Sequence, residues 1–192
     1  MSESHEEVRL GGGDVCSASH AGWLSTPLRR LLHNPDRILR GLLQAGDTAV
    51  DFGCGPGFFT LPMAEMVGPE GRVVAVDLQA EMLERLKVRA ERAGLAARIR
   101  LHQCAADTIG EVEPADFALA FFMVHEVPDA EHFLREAHGA LKEGGRLLLV
   151  EPKGHVSAEA YRRTEDVASG LGLKPLCRPR VRGSRATLFA RA

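Results

Sequence analysis

The alternation of short β-type runs with helical runs is the feature of this chain that most constrains its fold. Apolar runs rich in β-branched residues predict strands at residues 49–52, 72–77, 98–102, 115–122 and 146–151. Amphipathic spacing predicts helices at residues 58–67, 79–93, 130–141 and 157–171. Because strand, helix and strand in succession form right-handed parallel crossovers, the rhythm predicts an α/β fold with a mostly parallel sheet.

The two ends of the chain depart from this rhythm. Two final strands, near residues 174–178 and 185–190, have no helix between them and are expected to form an antiparallel hairpin at the sheet edge. Helical spacing over residues 23–45 predicts two helices, with a break at Asn34 and Pro35 and an end at Gly46. We therefore divide the chain into a disordered leader at 1–14, an N-terminal helical lid at 15–45 and one α/β domain at 46–192.

Composition places the chain among ordinary globular proteins. The hydrophobic fraction is 45% and the formal net charge is −2, so no general affinity for nucleic acids or membranes is expected. No apolar run approaches the ~18 residues that a membrane span needs, and the acidic N-terminus lacks the plan of a signal peptide. We expect a cytoplasmic protein, in which the four scattered cysteines are free thiols.

Three glycines follow the first strand of the α/β domain. The stretch reads TAVDFGCGPGFFT, with glycine at 53, 55 and 57 and an acid at Asp51. In open α/β sheets, ligands bind beyond the carboxyl ends of the strands, where glycine allows a ligand to lie against bare backbone. The stretch therefore predicts a small-molecule site in which Gly53, Gly55 and Gly57 let the backbone approach the ligand.

The residues around these glycines narrow the choice of ligand. The dinucleotide fingerprint G-x-G-x-x-G requires a third glycine where this chain has Phe58, which obstructs close packing of helix and strand. Asp51 suits a cationic group better than a phosphate. A second acid, Asp77, ends the second strand, where a ribose-binding carboxylate belongs. A ligand with a cationic amino-acid end and a ribose is S-adenosylmethionine.

With these motifs the chain resembles the class I, Rossmann-like S-adenosylmethionine-dependent methyltransferases of the small-molecule type, over roughly residues 35–192. The resemblance rests on the motifs VDFGCGPGFFT, AVDLQAEML, ADFALAFFMVHEVPD and GGRLLLVEP. It implies a doubly wound seven-stranded sheet in the order 3-2-1-4-5-7-6, with the last strand antiparallel. It also implies that Asp51 orders the glycine loop and helps to hold the ammonium, and that Asp77 holds the ribose.

The resemblance implies further cofactor contacts beside the adenine. Leu78 corresponds to an apolar neighbour of the adenine ring, and Phe121 is expected to pack against the cofactor. Members of the family often carry an acid after the third strand, where this chain has Ala105. The adenine contact is therefore expected from the backbone of Ala105 or Ala106, or from Asp107.

His125, in the loop after the fourth strand, is the candidate catalytic residue. Methyl transfer from a sulfonium needs no protein nucleophile, and it needs a base only if the acceptor is protonated. His125 is open to three interpretations: a general base, a contact that orients the substrate, or a structural hydrogen bond. Glu126 either orients the imidazole, caps the helix after Pro128 or belongs to a solvated face, and the last two are favoured.

Two other functions remain open from sequence. One is a protein that binds S-adenosylmethionine without catalysis, as a sensor or a partner subunit, since methyl transfer requires no obligatory catalytic residue. The other is an NAD-type oxidoreductase, against which Phe58 and Asp51 argue. For a methyltransferase, we expect a small-molecule acceptor, S-adenosylhomocysteine as product, and a monomer or homodimer.

Three side hypotheses concern metals and charge. Cys16 and His20 are four residues apart and would share a face if this segment were helical, but two ligands do not make a metal site, so no metal is predicted. Cysteines 16, 104 and 177 resemble in kind, but not in spacing, the thiols of arsenic methyltransferases. The basic stretch at 178–185 either attracts an acidic substrate or RNA or, as we expect, is a solvated part of the edge hairpin whose charge blocks edge-to-edge pairing.

Overall fold

The computed structural model describes residues 32–192 and contains one seven-stranded sheet. The strand order is 3-2-1-4-5-7-6, as predicted. The strands are β1 (Thr48–Phe52), β2 (Arg72–Asp77), β3 (Ile99–Gln103), β4 (Ala115–Phe121), β5 (Leu141–Pro152), β6 (Leu173–Cys177) and β7 (Ser184–Arg191). Strands β1 to β5 pair in parallel, and β7 pairs antiparallel with both β5 and β6. The predicted fold class is therefore confirmed.

In the described part of the chain, one short α-helix precedes β1 and four more connect the strands. They are α1 (Pro35–Ile38), α2 (Thr60–Met66), α3 (Ala80–Arg92), α4 (Ala130–Gly139) and α5 (Ala158–Gly170). Side-chain caps begin three of them: Asn34 accepts a 3.1 Å hydrogen bond from the backbone of Arg37, Asp129 accepts one of 2.9 Å from His132, and Ser157 accepts one of 3.0 Å from Ala160. Of the helices within residues 32–192, none is both long enough and apolar enough to span a bilayer.

The sheet separates two hydrophobic layers, and strand β5 shows how the sequence builds both. Its successive leucines are fully buried and alternate between the layers, because neighbouring residues of a strand face opposite sides of a sheet. Leu147 and Leu149 join the layer that contains α4, and Leu148 joins the layer that contains α2. A strand buried on both faces reads as a continuous apolar run, which is the pattern of a central parallel strand.

Two regions of the chain differ most from their predicted bounds. The second N-terminal helix stops at Ile38 instead of continuing to Gly46, because Gly41 takes a positive φ of 75° and the carbonyl of Leu42 accepts from the Arg146 side chain. The leader and the first part of the predicted lid, including Cys16, His20 and Trp23, lie outside the described residues.

The second difference lies between α4 and β5. The helix predicted to reach residue 141 ends at Gly139, and β5 begins at Leu141 instead of Arg146. Leu141 pairs with Ala115, and the register then shifts before Arg146. Glycine is required inside this irregular segment, since a Cβ on Gly145 would lie 2.8 Å from the carbonyl oxygen of Ala115.

Candidate active site

A cavity of about 1060 Å³ opens at the carboxyl ends of the parallel strands. It lies where the strand order reverses, between β1 and β4, which is the usual ligand position in a doubly wound sheet. Its walls come from the segments that follow β1, β2, β3, β4 and β5. Since ligand pockets typically measure about 300 to 1,000 Å³, the volume suffices for a cofactor and a small second ligand together.

The three glycines after β1 serve different purposes in the structure. All three have a positive φ, the left-handed conformation that favours glycine. A Cβ on Gly55 would meet no atom within 4 Å, so its bare backbone faces the open cavity that it lines. A Cβ on Gly53 would lie 3.0 Å from Cβ of Met123, which follows the neighbouring strand β4. Gly57 is not part of the cavity wall, and a Cβ there would lie 2.3 Å from Cδ1 of Leu86.

Asp77, at the end of β2, holds the glycine loop in place. Its Oδ2 accepts a 2.8 Å hydrogen bond from the backbone N–H of Gly55, and its Oδ1 accepts one of 2.9 Å from Gln79. The side chain lines the cavity, but the residue is only 8% exposed. Burial raises the pKa of Asp77, and the two backbone hydrogen bonds oppose that rise. A carboxylate here both fixes the loop and faces the cavity.

Asp51 is the second buried carboxylate of the site. It lies at the end of β1, lines the cavity and is 3% exposed. Its Oδ2 accepts a 2.6 Å hydrogen bond from the hydroxyl of Thr60, the first residue of α2. This bond fastens the start of the helix to the strand that precedes the glycine loop, as expected of a residue that orders the loop.

The residues predicted to surround an adenine lie on neighbouring segments of the cavity wall. Leu78 follows β2, and Ala105, Ala106 and Asp107 follow β3. The loop after β3 closes on itself through a 3.1 Å hydrogen bond from the N–H of Ala105 to the carbonyl of Thr108. The structure therefore brings these four residues to the same side of the cavity.

His125 forms a pair with Glu151 on the other side of the cavity. His125 lies on the 3-10 turn Val124–Glu126 that follows β4, and Glu151 lies near the end of the adjacent strand β5. The Nδ1–H of His125 donates to Oε2 of Glu151, while Oε1 of Glu151 accepts a 2.9 Å bond from the backbone of Val124. The carboxylate has no room to turn away, because Glu151 is 2% exposed.

This pair raises the pKa of His125 above its usual range. The hydrogen bond to Glu151 is the main cause, burial opposes it, and the negative charges of Glu151 and Glu126 add to it. Since Nδ1 carries the proton that Glu151 accepts, the neutral imidazole keeps a free lone pair on Nε2. The geometry is that of a base oriented by a buried carboxylate.

Glu126 does not cap the helix after the loop, because Asp129 does so. Its Oε1 lies 3.8 Å from Nε2 of His125, and the ring of His155 lies 5.8 Å from that of His125 between centroids. All three side chains line the cavity. Glu126 is therefore a neighbour of the imidazole, but the group that orients it is Glu151.

Glu151 is the functional residue that the sequence reasoning missed. The motif GGRLLLVEP was assigned to the fifth strand without a role for its acid. The sequence does contain a signal for this residue, because Glu151 ends a fully apolar run. A carboxylate at the end of a parallel strand lies at the same sheet edge as Asp51 and Asp77. Phe121, which is predicted to pack against the cofactor, lines the cavity. Its ring centroid lies 4.4 Å from that of Phe59.

The described residues bear on the hypotheses about metal binding and about the basic stretch. Within residues 32–192, no group of three or more His, Cys, Asp or Glu side chains is placed to hold a metal ion. Cys104 lines the cavity, whereas Cys177 is exposed on β6. In the basic stretch, Arg178 donates to Glu165 of α5 at 3.0 Å and Arg185 donates to the carbonyl of Val156 at 2.7 Å, so both are engaged within the fold.

These features fit S-adenosylmethionine. Gly55 gives open backbone next to two buried carboxylates, which suit the ammonium and ribose hydroxyls of this molecule better than a phosphate. Apolar Leu78 and the alanines after β3 provide a flat wall for a base. The donor and acceptor chemistry of the cavity is thus consistent with the cofactor predicted from the sequence.

Comparison with known proteins gives the family. A family model described as a methyltransferase domain matches residues 49–145, which is half of the chain. A demethylmenaquinone methyltransferase of Lactobacillus johnsonii is 32% identical over 110 residues, which cover 57% of this chain and 45% of the relative. The chain thus spans about half the length of the curated relatives that it matches.

Solved structures confirm the fold. A SAM-dependent methyltransferase from Aquifex aeolicus superposes with a TM-score of 0.81 at 23% identity, covering 92% of this chain and 99% of that one. The [4+2]-cyclase SpnF superposes with a TM-score of 0.66 at 20% identity, covering 77% and 60% of the two chains. Since a cyclase shares the fold, the fold alone does not establish the activity.

The chain belongs to the methyltransferase domain family. This membership confirms the resemblance found in the sequence.

Proposed function

We propose that this chain transfers a methyl group from S-adenosylmethionine to a small-molecule acceptor, with His125 as the general base. The observation that carries the proposal is the pair of His125 and Glu151, which lines the same cavity as Gly55 and Asp77. A site that only binds the cofactor has no use for a base oriented by a buried carboxylate. The pair therefore supports catalysis over the alternative of a binding protein.

The cofactor contacts are part of the proposal. Gly53 and Gly55 carry the loop beneath the amino-acid end of the cofactor, Asp51 favours its ammonium, and Asp77 accepts from the ribose hydroxyls. Gly57 supports the loop from behind, through its close contact with Leu86. Leu78 and residues 105–107 would hold the adenine, and Phe121 would pack against the cofactor.

The chemistry divides between cofactor and protein. When bound, S-adenosylmethionine supplies a methyl group on a sulfonium, which is a strong electrophile with a neutral leaving group. The protein positions the acceptor in line with that methyl group and keeps water from the cavity. His125 accepts the acceptor's proton at Nε2, and Glu151 stabilises the imidazolium that results.

A small molecule as acceptor is supported by the curated relatives, which are named demethylmenaquinone methyltransferases. The cavity also supports it, since a pocket of about 1060 Å³ lined by apolar side chains encloses a small ligand.

The proposal is tested by S-adenosylhomocysteine formation from S-adenosylmethionine with a panel of small phenols, amines and thiols. We expect turnover on at least one acceptor and a loss of about 100-fold or more in His125→Gln. His138→Gln is the matched control, because His138 is half-buried but does not line the cavity. Cofactor binding without turnover on any member of the panel would favour a sensor or partner subunit instead.

A further inference from the structure

The cavity wall is unusually rich in aromatic rings. The chain has eight phenylalanines, and six of them line this one cavity. These six are Phe52, Phe58, Phe59, Phe121, Phe122 and Phe133. A cofactor with one adenine ring does not need aromatic side chains on both sides of the sheet edge, so part of this surface is available to a second ligand.

Four of these rings and one histidine form a continuous aromatic wall, which we define as Phe58, Phe59, Phe121, Phe122 and His33. The ring centroids of Phe58 and Phe59 are 5.1 Å apart, and those of Phe59 and Phe121 are 4.4 Å apart. Phe122 lies 4.3 Å from Phe121 and 5.2 Å from the ring of His33. Such distances are those of interacting aromatic pairs, so the wall is a connected surface.

Phe122 reaches this wall through a strained backbone. It has a φ of 62°, and it is the one residue other than glycine with a positive φ within residues 32–192. Its N–H still donates to the carbonyl of Val150 at 2.8 Å, so the chain leaves the sheet at this residue. For a bulky side chain this conformation is unfavourable, and such strain concentrates at functional sites.

The strain changes where the ring of Phe122 points. In a regular strand, consecutive side chains face opposite sides of the sheet, so the rings of Phe121 and Phe122 would be separated by the backbone. Here the two rings are 4.3 Å apart, with planes inclined at 37°, and both line the cavity. The left-handed turn therefore places two consecutive rings on one wall, directly before the 3-10 turn that carries His125.

We propose that the acceptor is a planar aromatic compound with a ring hydroxyl, bound against Phe121 and Phe122 with that hydroxyl directed to Nε2 of His125. This inference rests on the proposed function and names its substrate class. Flat rings gain from stacking on the aromatic wall, whereas saturated rings gain only from burial. A ring hydroxyl loses its proton on methylation, which gives a base held by Glu151 a role.

The step balances in atoms and charge. The O–H bond of the acceptor breaks and its proton goes to Nε2 of His125. A bond forms between the oxygen and the methyl carbon as the bond from that carbon to the sulfonium sulfur breaks. The electron pair of the broken bond stays on sulfur, so the products are an aryl methyl ether, a neutral thioether and an imidazolium paired with Glu151.

The experiment compares 2-naphthol with decahydro-2-naphthol, which has the same carbon skeleton without the aromatic rings. Equilibrium binding of each is measured by calorimetry on the full chain saturated with S-adenosylhomocysteine. We expect 2-naphthol to bind about tenfold more tightly. An apolar slot without preference for flat rings would bind the more hydrophobic saturated probe at least as well, and that result would overturn the inference.

Two variants isolate the role of Phe122. Phe122→Leu keeps an apolar side chain at the strained position but removes the ring, and Phe122→Tyr keeps the ring. We expect the preference for 2-naphthol to fall at least about threefold in Phe122→Leu and to persist in Phe122→Tyr, with binding of S-adenosylhomocysteine unchanged in both. An unchanged preference in Phe122→Leu would contradict the assignment of Phe122.

A failure of this inference can be distinguished from a failure of the proposed function. If S-adenosylhomocysteine binds but neither probe does, the aromatic acceptor is refuted and the proposed methyl transfer stands. If S-adenosylhomocysteine itself does not bind, the proposed function fails and the inference fails with it.

Discussion

Glu151 and His125 meet across the carboxyl ends of two neighbouring strands, where a buried carboxylate accepts from Nδ1 of the imidazole. The second oxygen of Glu151 accepts from the backbone of Val124, so the carboxylate orients both the side chain and the turn that carries it. The pair exists because β4 and β5 are adjacent and parallel, which brings the two strand ends to the same edge. The charge and burial of this pair determine how activity and stability change with pH.

Glu151→Gln is expected to lower activity and to move its pH dependence. The neutral imidazole is the active form, so activity rises with pH through the raised pKa of His125. Removing the charge of Glu151 lowers that pKa toward its ordinary value of 6.5, so the acidic limb moves to lower pH. The plateau falls about tenfold or more, because a weaker base is a poorer catalyst. The measurement is kcat/KM between pH 5.5 and 9.

Glu126→Gln is the matched control for that profile, since Glu126 also faces the imidazole but raises its pKa less than Glu151 does. We expect a smaller shift of the acidic limb in this variant. An acidic limb that stays in place in Glu151→Gln, or that moves further in Glu126→Gln, would contradict the assigned pairing.

The same pair makes stability depend on pH. The folded-state pKa of His125 is raised, so its protonation stabilises the fold fully below the unfolded value, near 6.5, and this contribution disappears as pH rises through the folded pKa. The difference in free energy of unfolding between the wild type and His125→Gln is therefore larger at pH 5.5 than at pH 9. Urea denaturation between pH 5.5 and 9 measures this difference in the free energy of unfolding. A difference that increases with pH would contradict the prediction.

Gly57→Ala is expected to destabilise the protein by about 2–4 kcal/mol. The left-handed backbone contributes about 1–2 kcal/mol, and the collision with Leu86 contributes the rest through overpacking. Gly94→Ala is the control, because Gly94 has a similar φ of 69° and a Cβ there meets nothing within 4 Å. Urea denaturation compares the two, and equal losses would refute the packing role of Gly57.

Much of the fold was predictable because its signals are local. The apolar runs and helical spacings gave the alternation of elements, and the terminal pair of strands without a helix gave the antiparallel edge. Asp77 and Gly55 were predictable because Asp77 ends a predicted strand and Gly55 lies in the loop that follows one. Residues at such ends gather at one sheet edge whatever the details of packing.

The rest depends on contacts between distant parts of the chain. The role of Glu151 appears only when β5 lies beside β4, 26 residues from His125 in sequence. From the sequence, Gly57 is a third glycine expected to approach the cofactor. Its close packing against Leu86 is a tertiary contact that the local sequence does not show. No sequence pattern distinguishes the left-handed Phe122 from an ordinary end of a strand, because the following turn determines its φ.

The most direct test is calorimetric titration of the full chain with S-adenosylmethionine and S-adenosylhomocysteine, with NAD as the comparison ligand. We predict dissociation constants on the order of micromolar for the first two and no binding of NAD. Asp77→Asn should weaken both by about tenfold or more, since it removes the ribose carboxylate and loosens Gly55. Asp166→Ala, an exposed carboxylate that does not line the cavity, should leave both unchanged. Binding of NAD in place of the sulfonium cofactor, or of none of the three, would contradict the account.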